Sequence, residues 1–184
     1  MNYNKTISDT CVRVGEVRFS YANVFAPKKT PNGDEKYSCA ILIPKDNKAA
    51  IDTLATAINN AMDLGANTKW GGKVPRNVRS PMRDGDDDRP DDDNYAGYYF
   101  INASAKPDKR PQVKVVQDGQ MFDALDGDDF YSGCYGAAVL NFFPYDSNGN
   151  KGVGAGLNFV VKTRDGDKLS GGVSEDSALG DMLG

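Results

Sequence analysis

Residues 132–162 read SGCYGAAVLNFFPYDSNGNKGVGAGLNFVVK. Asn148-Gly149 is the dipeptide that tolerates positive φ at both centres of a tight turn. The flanking Phe143 and Tyr145 on one side, and Val153 and Ala155 on the other, alternate with the period of two that marks a strand. The stretch therefore predicts a long hairpin, with strands over 132–145 and 152–162. Within it Phe142 and Phe143 are consecutive, so they must point to opposite faces of the sheet. Gly152, Gly154 and Gly156 fall on one strand face, which leaves room there for a close approach of another group.

Upstream of this hairpin the same period recurs. Val17, Phe19 and Tyr21 alternate with Arg18, Ser20 and Ala22 in a half-buried strand over 12–25. Val12 and Val14 have the opposite parity, so the alternation slips near Gly15-Glu16, where a bulge would bend the strand as barrels require. Pro31-Asn32-Gly33-Asp34 reads as a turn, followed by a strand over 37–43 that Pro44 ends. Ile51, Leu54, Ala55, Ile58 and Met62 then repeat at three- and four-residue spacing. That predicts one amphipathic helix over 47–64, with Asp46 as N-cap and Gly65 as its stop. Strands over 95–106 and 112–116 complete the series. Strands dominate, one helix is inserted and no βαβ alternation occurs, so the fold class is an all-β barrel. Residues 1–164 form its single domain, and residues 165–184, acidic and poor in apolar groups, are expected as a disordered tail.

The net charge of −4 hides an uneven distribution. The tail has five acids against Lys168, and residues 84–93 (DGDDDRPDDD) have seven aspartates against Arg89. The rest holds twenty basic residues against fourteen acidic ones, a basic body with two acidic appendages. Histidine is absent, which removes the commonest general base and every Ser/His or Cys/His nucleophile pair. The three cysteines, Cys11, Cys39 and Cys134, form no CxxC pair and read as small core residues in a reducing compartment. No apolar run is long enough to span a membrane, and the first residues lack the pattern of a signal peptide, so a cytoplasmic location is expected.

The strongest local signal is residues 69–83, which contain Lys69, Lys73, Arg76, Arg79 and Arg83 around Trp70 with no acid among them. Gly71-Gly72, Pro75 and Pro81 exclude a continuous helix, which leaves an extended arm able to track a phosphate chain while the indole stacks on a base. The same residues also fit a solvated basic loop whose Trp70 plugs the core. Tyr98 and Tyr99, like Phe142 and Phe143, cannot both enter one core. One of each pair is thus a candidate stacking platform, with Tyr98, Tyr99 and Phe143 as the candidates. The run Asp84, Asp86, Asp87, Asp88, Asp91, Asp92 and Asp93 fits either a solvated loop or a magnesium site of a nucleic-acid-processing enzyme, but it lacks the EF-hand spacing. There is no phosphate-cradling G-x-x-x-x-GK[ST] loop, so no metal ligand and no cofactor is assigned.

Taken together, VRFSYANVF, KYSCAILIP, the amphipathic helix, KWGGKVP, RDGDDDRPDDDNYAGYYFINASAK, FYSGCYGAAVLNFF and NGNKGVGAGLNFVVKTRDG resemble the small phage-encoded single-stranded-DNA-binding proteins, from about Val12 to Gly166. The resemblance implies an oligonucleotide/oligosaccharide-binding (OB) fold that coats single-stranded DNA, largely independently of sequence, during phage replication and recombination in the bacterial cytoplasm. It also implies an acidic C-terminal tail that recruits phage or host replication proteins, for which Asp181, Met182 and Leu183 are the candidate contacts. It supplies no DNA-contacting residues; those rest on charge and aromatic content. The expected function is a non-enzymatic single-strand binder, set against a magnesium-dependent enzyme using the aspartate run and a phage structural or scaffolding protein.

Overall fold

In a computed structural model the protein is described over residues 2–169 and at residue 182. The chain forms β1 (Lys5–Thr6), β2 (Cys11–Lys29), β3 (Glu35–Pro44), α1 (Lys48–Thr68), β4 (Met82–Asp84) and α2 (Gly85–Asp88). A 3-10 turn (Asp93–Tyr95) then leads into β5 (Tyr98–Ala105), β6 (Gln112–Gln117), β7 (Gln120–Asp123), β8 (Tyr135–Ser147) and β9 (Asn150–Arg164).

Five strands close on themselves. β5, β3, β2, β8 and β9 are antiparallel neighbours in that order, and a parallel bridge between Ser104 and Gly156 joins β9 back to β5. Counting only these five along the chain, the order around the barrel is first, second, third, fifth, fourth, the Greek-key arrangement of an OB-fold. Closure removes the sheet edges that open sheets must protect. The long hairpin has the expected turn: Ser147 pairs with Asn150, and Asn148 and Gly149 take φ of 52° and 87°. The interior holds Val12, Val14, Val17, Phe19, Ile41, Ile43, Ile101, Leu140 and Phe142, and α1 covers it from one side by packing on β2 and β8.

One sequence expectation holds here and others are corrected. The bulge near Gly15 is present, since the register against β8 shifts between Gly15 and Val17. A second one was not foreseen: the β2–β3 register shifts again between Ser20 and Asn23, and Tyr21 has φ of 47°. Tyr21 is therefore turned outward and 49% exposed, not buried beside Phe19. Asn47, not Asp46, caps α1, its side chain accepting from the Ala50 amide at 3.2 Å. Gly65 does not end the helix, which runs on to Thr68. It is a contact residue instead, because a Cβ there would lie 2.6 Å from the Trp70 ring and 2.7 Å from Pro144.

Candidate nucleic-acid interface

The outward face of the hairpin carries the site. Asn141, Phe143 and Tyr145 of β8 stand directly opposite Gly156, Gly154 and Gly152 of β9. The alternating glycines thus lie under the outward side chains: a Cβ on Gly154 would sit 2.6 Å from the Phe143 ring, and one on Gly152 the same distance from the Tyr145 hydroxyl. Without those Cβ atoms the Phe143 ring can lie over the β9 backbone, and it stays 44% exposed. The inference from the Phe142-Phe143 pair holds, with Phe142 buried in the core and Phe143 outside.

Beside Phe143 is a cleft of about 530 Å³. Asn141, Phe143, Gly156, Asn158 and Phe159 come from the hairpin, Ser104 and Gln112 from the neighbouring strands, and Lys36, Lys106, Lys109 and Arg110 supply charge. Among the described residues no acidic one lines it. Three of the four cations come from the connection between β5 and β6, a turn closed by the Lys109 amide on the Lys106 carbonyl at 2.9 Å. None of the four is in an ion pair among the described residues. Unpaired cations next to an exposed ring and several carboxamides can bind a polyanion that also offers flat faces. Sequence reading passed over this connection, although Lys106-Pro107-Asp108-Lys109-Arg110-Pro111 is a signal in itself: three cations in five positions, with two prolines that keep it out of the ladder.

The arm is partly as expected. Lys69, Lys73, Arg76 and Arg79 are exposed and also unpaired among the described residues. Arg79 lies along β9, its amide donating to the Lys151 carbonyl at 3.0 Å and its own carbonyl accepting from Val153 at 2.9 Å. Arg79, Phe143 and the cleft thus follow one another along a single strand. Trp70 differs from the stacking expectation. It is 5% exposed, its Nε1 donates to the Tyr145 carbonyl at 3.1 Å, and its ring fills the space left by Gly65, so no face is open to a base. The core-plug alternative describes its position.

Tyr98 and Tyr99 lie at the other end of β5, under a cap built by β4, which carries Arg83 opposite Phe100, by α2 and by the 3-10 turn. Phe100 and Leu42 are buried there on the outside of the barrel against Tyr95, with the Tyr95 and Phe100 rings edge to face at 5.0 Å. Tyr98 packs on this small cluster and Tyr99 on the main core, so the pair does diverge, yet both are half-buried. Arg83 lies over Phe100 and pairs with Asp88 at 2.8 Å. Lys45 bridges Asp84 and Asp86 at 2.7 Å each, and Arg89, 4.6 Å from the Tyr95 ring centre, pairs with Asp92 at 3.3 Å. The Lys45 ammonium holds both the Asp84 and Asp86 carboxyls below the usual range. Four of the seven aspartates are thus engaged with the chain's own cations, and among the described residues no group of acids, histidines or cysteines is arranged to hold a metal ion.

After β9 the chain turns back over residues 131–134. Asp165 accepts from the Tyr131 hydroxyl at 2.6 Å and pairs with Lys162, and the Leu169 amide donates to the Ser132 carbonyl at 2.9 Å. Asp181 and Leu183, and the tail expectation for residues 170–181, lie outside the described residues; Met182 is exposed.

Comparison with known proteins now bears on this arrangement. The family described as Enterobacter phage Enc34, ssDNA-binding protein, matches residues 10–182. The chain belongs to this family. Protein p50 of Acyrthosiphon pisum secondary endosymbiont phage 1 is 34% identical over 171 residues, covering 88% of this chain and 87% of p50. Among solved structures, the single-stranded DNA-binding protein from bacteriophage Enc34 in complex with ssDNA superposes with a TM-score of 0.78 at 24% identity, over 92% of this chain and 95% of that one. The single-stranded DNA-binding protein gp2.5 of bacteriophage T7 is more distant, with a TM-score of 0.54 at 14% identity over 88% and 94% of the two chains. These two likenesses are of fold. No described helix of this Enc34-family chain is long and apolar enough to cross a membrane.

Proposed function

We propose that the protein binds single-stranded DNA with little regard to sequence, as its phage family implies, and that the strand runs along the outward face of β9. The observation that carries this reading is the cleft in which, among the described residues, Lys36, Lys106, Lys109 and Arg110 stand unpaired, with no acid, beside the exposed Phe143. Phosphates neutralise the four cations and release counterions, a base stacks on Phe143, and Arg79 extends the track toward the start of β9. The path from Phe159 to Gly152 spans about 23 Å of strand. Binding needs no catalytic residue, and the protein acts in the bacterial cytoplasm during phage replication and recombination.

The test is the salt dependence of affinity for oligo-dT. Each phosphate neutralised on a single strand contributes about −0.7 to the slope of log affinity against log salt. Replacing Lys36, Lys106, Lys109 and Arg110 with alanine should flatten the slope by up to about 3 units. A folded quadruple variant with the wild-type slope would place the DNA elsewhere. Incubating labelled DNA with protein and magnesium settles the enzyme alternative: retention without cleavage is expected.

A further inference from the structure

Tyr21 is turned out of β2 by a left-handed φ of 47°, a conformation that a bulky residue rarely adopts. Such conformations persist where the surroundings enforce them, and they cluster at functional sites. Three hydrogen bonds enforce this one. The Ala22 amide donates to the Ser132 hydroxyl at 3.0 Å, the Asn23 carboxamide donates to the Tyr21 carbonyl at 3.2 Å, and Arg89 donates to the Tyr21 hydroxyl at 3.0 Å. Anchored at its backbone and at its hydroxyl, the residue still leaves 49% of its surface open. It forms one wall of a second cavity, of about 310 Å³, together with Asn23, Lys28 and Ser132. That volume reaches the lower end of small-molecule sites, about 300 Å³. The one acid that lines it among the described residues is Asp92, and Arg89 already pairs with that carboxylate at 3.3 Å.

A second observation, independent of the ring, points to an anion. Lys28 lines this cavity, Lys36 lines the cleft beside Phe143, and the two lysines are directly opposite each other in the β2–β3 ladder. Neither is in an ion pair among the described residues. Like charges in that position repel and weaken the ladder. An anion held between the two ammonium groups removes the repulsion, and a polyanion passing from the cleft to the cavity supplies one at that point. The surface between them is low and polar: Asn23 stands opposite Ser38, to whose hydroxyl its carboxamide donates at 3.4 Å, and Ser38 stands opposite Ser104 at the border of the cleft. From β9 to β2 the distance is three strand spacings, about 14 Å.

We propose that this cavity takes one nucleotide of the bound strand, with its base stacked on Tyr21 and a phosphate shared by Lys28 and Lys36. The strand leaves the β9 track at the cleft and crosses β5 and β3 to reach β2. The proposal rests on the β9 reading for the strand that enters the cavity, but the chemistry of the cavity is its own.

Tyr21→Asn removes the ring and installs a residue that tolerates the left-handed backbone. It should keep the urea midpoint and weaken oligo-dT binding about five- to 150-fold, the worth of one stacked base, while Tyr21→Phe should retain most of the affinity. The lysine pair is read from the salt slope. With one shared phosphate, Lys28→Ala and Lys36→Ala each leave that phosphate neutralised by the other lysine and change the slope little, whereas the double variant flattens it by about 0.7. Single losses of about 0.7 that add to about 1.4 would give each lysine its own phosphate and overturn the shared one. Photo-crosslinking of the wild type to oligo-dT carrying iododeoxyuridine needs no variant, and peptide masses should show an adduct on Tyr21. Wild-type affinity in folded Tyr21→Asn, or adducts confined to β9, would overturn the cavity and leave the track standing. A loss in Tyr21→Asn without any loss in Phe143→Ala would instead overturn the track and keep the cavity.

Discussion

Phe100 and Ser104 stand on the same outward face of β5, four residues or about 13 Å apart, in opposite environments. Phe100 is buried under a cap whose cations, Lys45, Arg83 and Arg89, are all paired with aspartates. Ser104 borders a cleft whose four cations are unpaired and whose walls hold no acid among the described residues. Both ends have basic and aromatic residues in similar number. What separates them is whether the positive charge is already neutralised by the chain itself, and only unneutralised charge can gain from meeting a phosphate. Counting cations along the sequence misses this distinction, because the partners of Lys45 lie about forty residues away.

The largest test of the contrast is at its buried end. Phe100→Ala removes a fully buried ring from the cluster with Leu42 and Tyr95 and should cost about 3–5 kcal/mol in urea unfolding. Oligo-dT affinity of the fraction still folded should not change. A loss of affinity without a loss of stability would show that the cap end contacts DNA, and the two ends of β5 would then form one surface.

At the cleft end the expected effect is smaller and of the other kind. Phe143→Ala should leave stability nearly unchanged, because the ring is 44% exposed, and should weaken single-strand binding by about 1–3 kcal/mol if one base stacks on it. Gly154→Ala offers a finer version, since its Cβ would displace the ring from its seat over β9 without deleting it. Its affinity should fall between that of the wild type and that of Phe143→Ala.

How far the sequence disclosed this arrangement depends on whether the signal was local. The hairpin was legible, because alternation and Asn148-Gly149 act within a few residues, and parity placed one of Phe142 and Phe143 outside without saying which. Tyr21 was misplaced because a second bulge, which no glycine announces, reverses its parity. Gly65 and Trp70 misled for one reason: a glycine near a helix end reads as a stop and a tryptophan among cations reads as a stacking group. Here each exists to fit the other, a contact that appears only when α1 packs on β8. The aspartate run read as an appendage because Lys45, which bridges two of its acids, lies just after β3, about forty residues away, and because the pairings of Arg83 and Arg89 form only when the cap folds; the Lys106–Arg110 connection was overlooked beside the longer basic arm.

The smallest expected effect concerns pH and again separates the two ends of β5. Lys45 holds the Asp84 and Asp86 carboxyls at 2.7 Å and lowers both pKa values from the ordinary carboxylate range. A carboxyl with a lower pKa in the folded state contributes stability at pH values above its unfolded pKa of about 3.9, and the contribution is lost as pH falls through the folded value. The Lys45 bridge therefore acts in full at pH 6 and fades below about pH 4. Because these groups are solvated, Lys45→Met should lower Tm at pH 6 by no more than about 4 °C, and the gap to the wild type should narrow at pH 3. The cleft has no such dependence: its cations are lysines and an arginine, no acid among the described residues lines it, and the chain has no histidine. Oligo-dT affinity should accordingly stay flat from pH 5 to 8 while the cap's contribution is also constant, and only the cap should respond to further acidification. A Lys45→Met gap that is the same at pH 3 as at pH 6 would mean that the ammonium's contact with the Tyr99 ring, 5.2 Å from its centre, matters more than its pairing with the carboxylates.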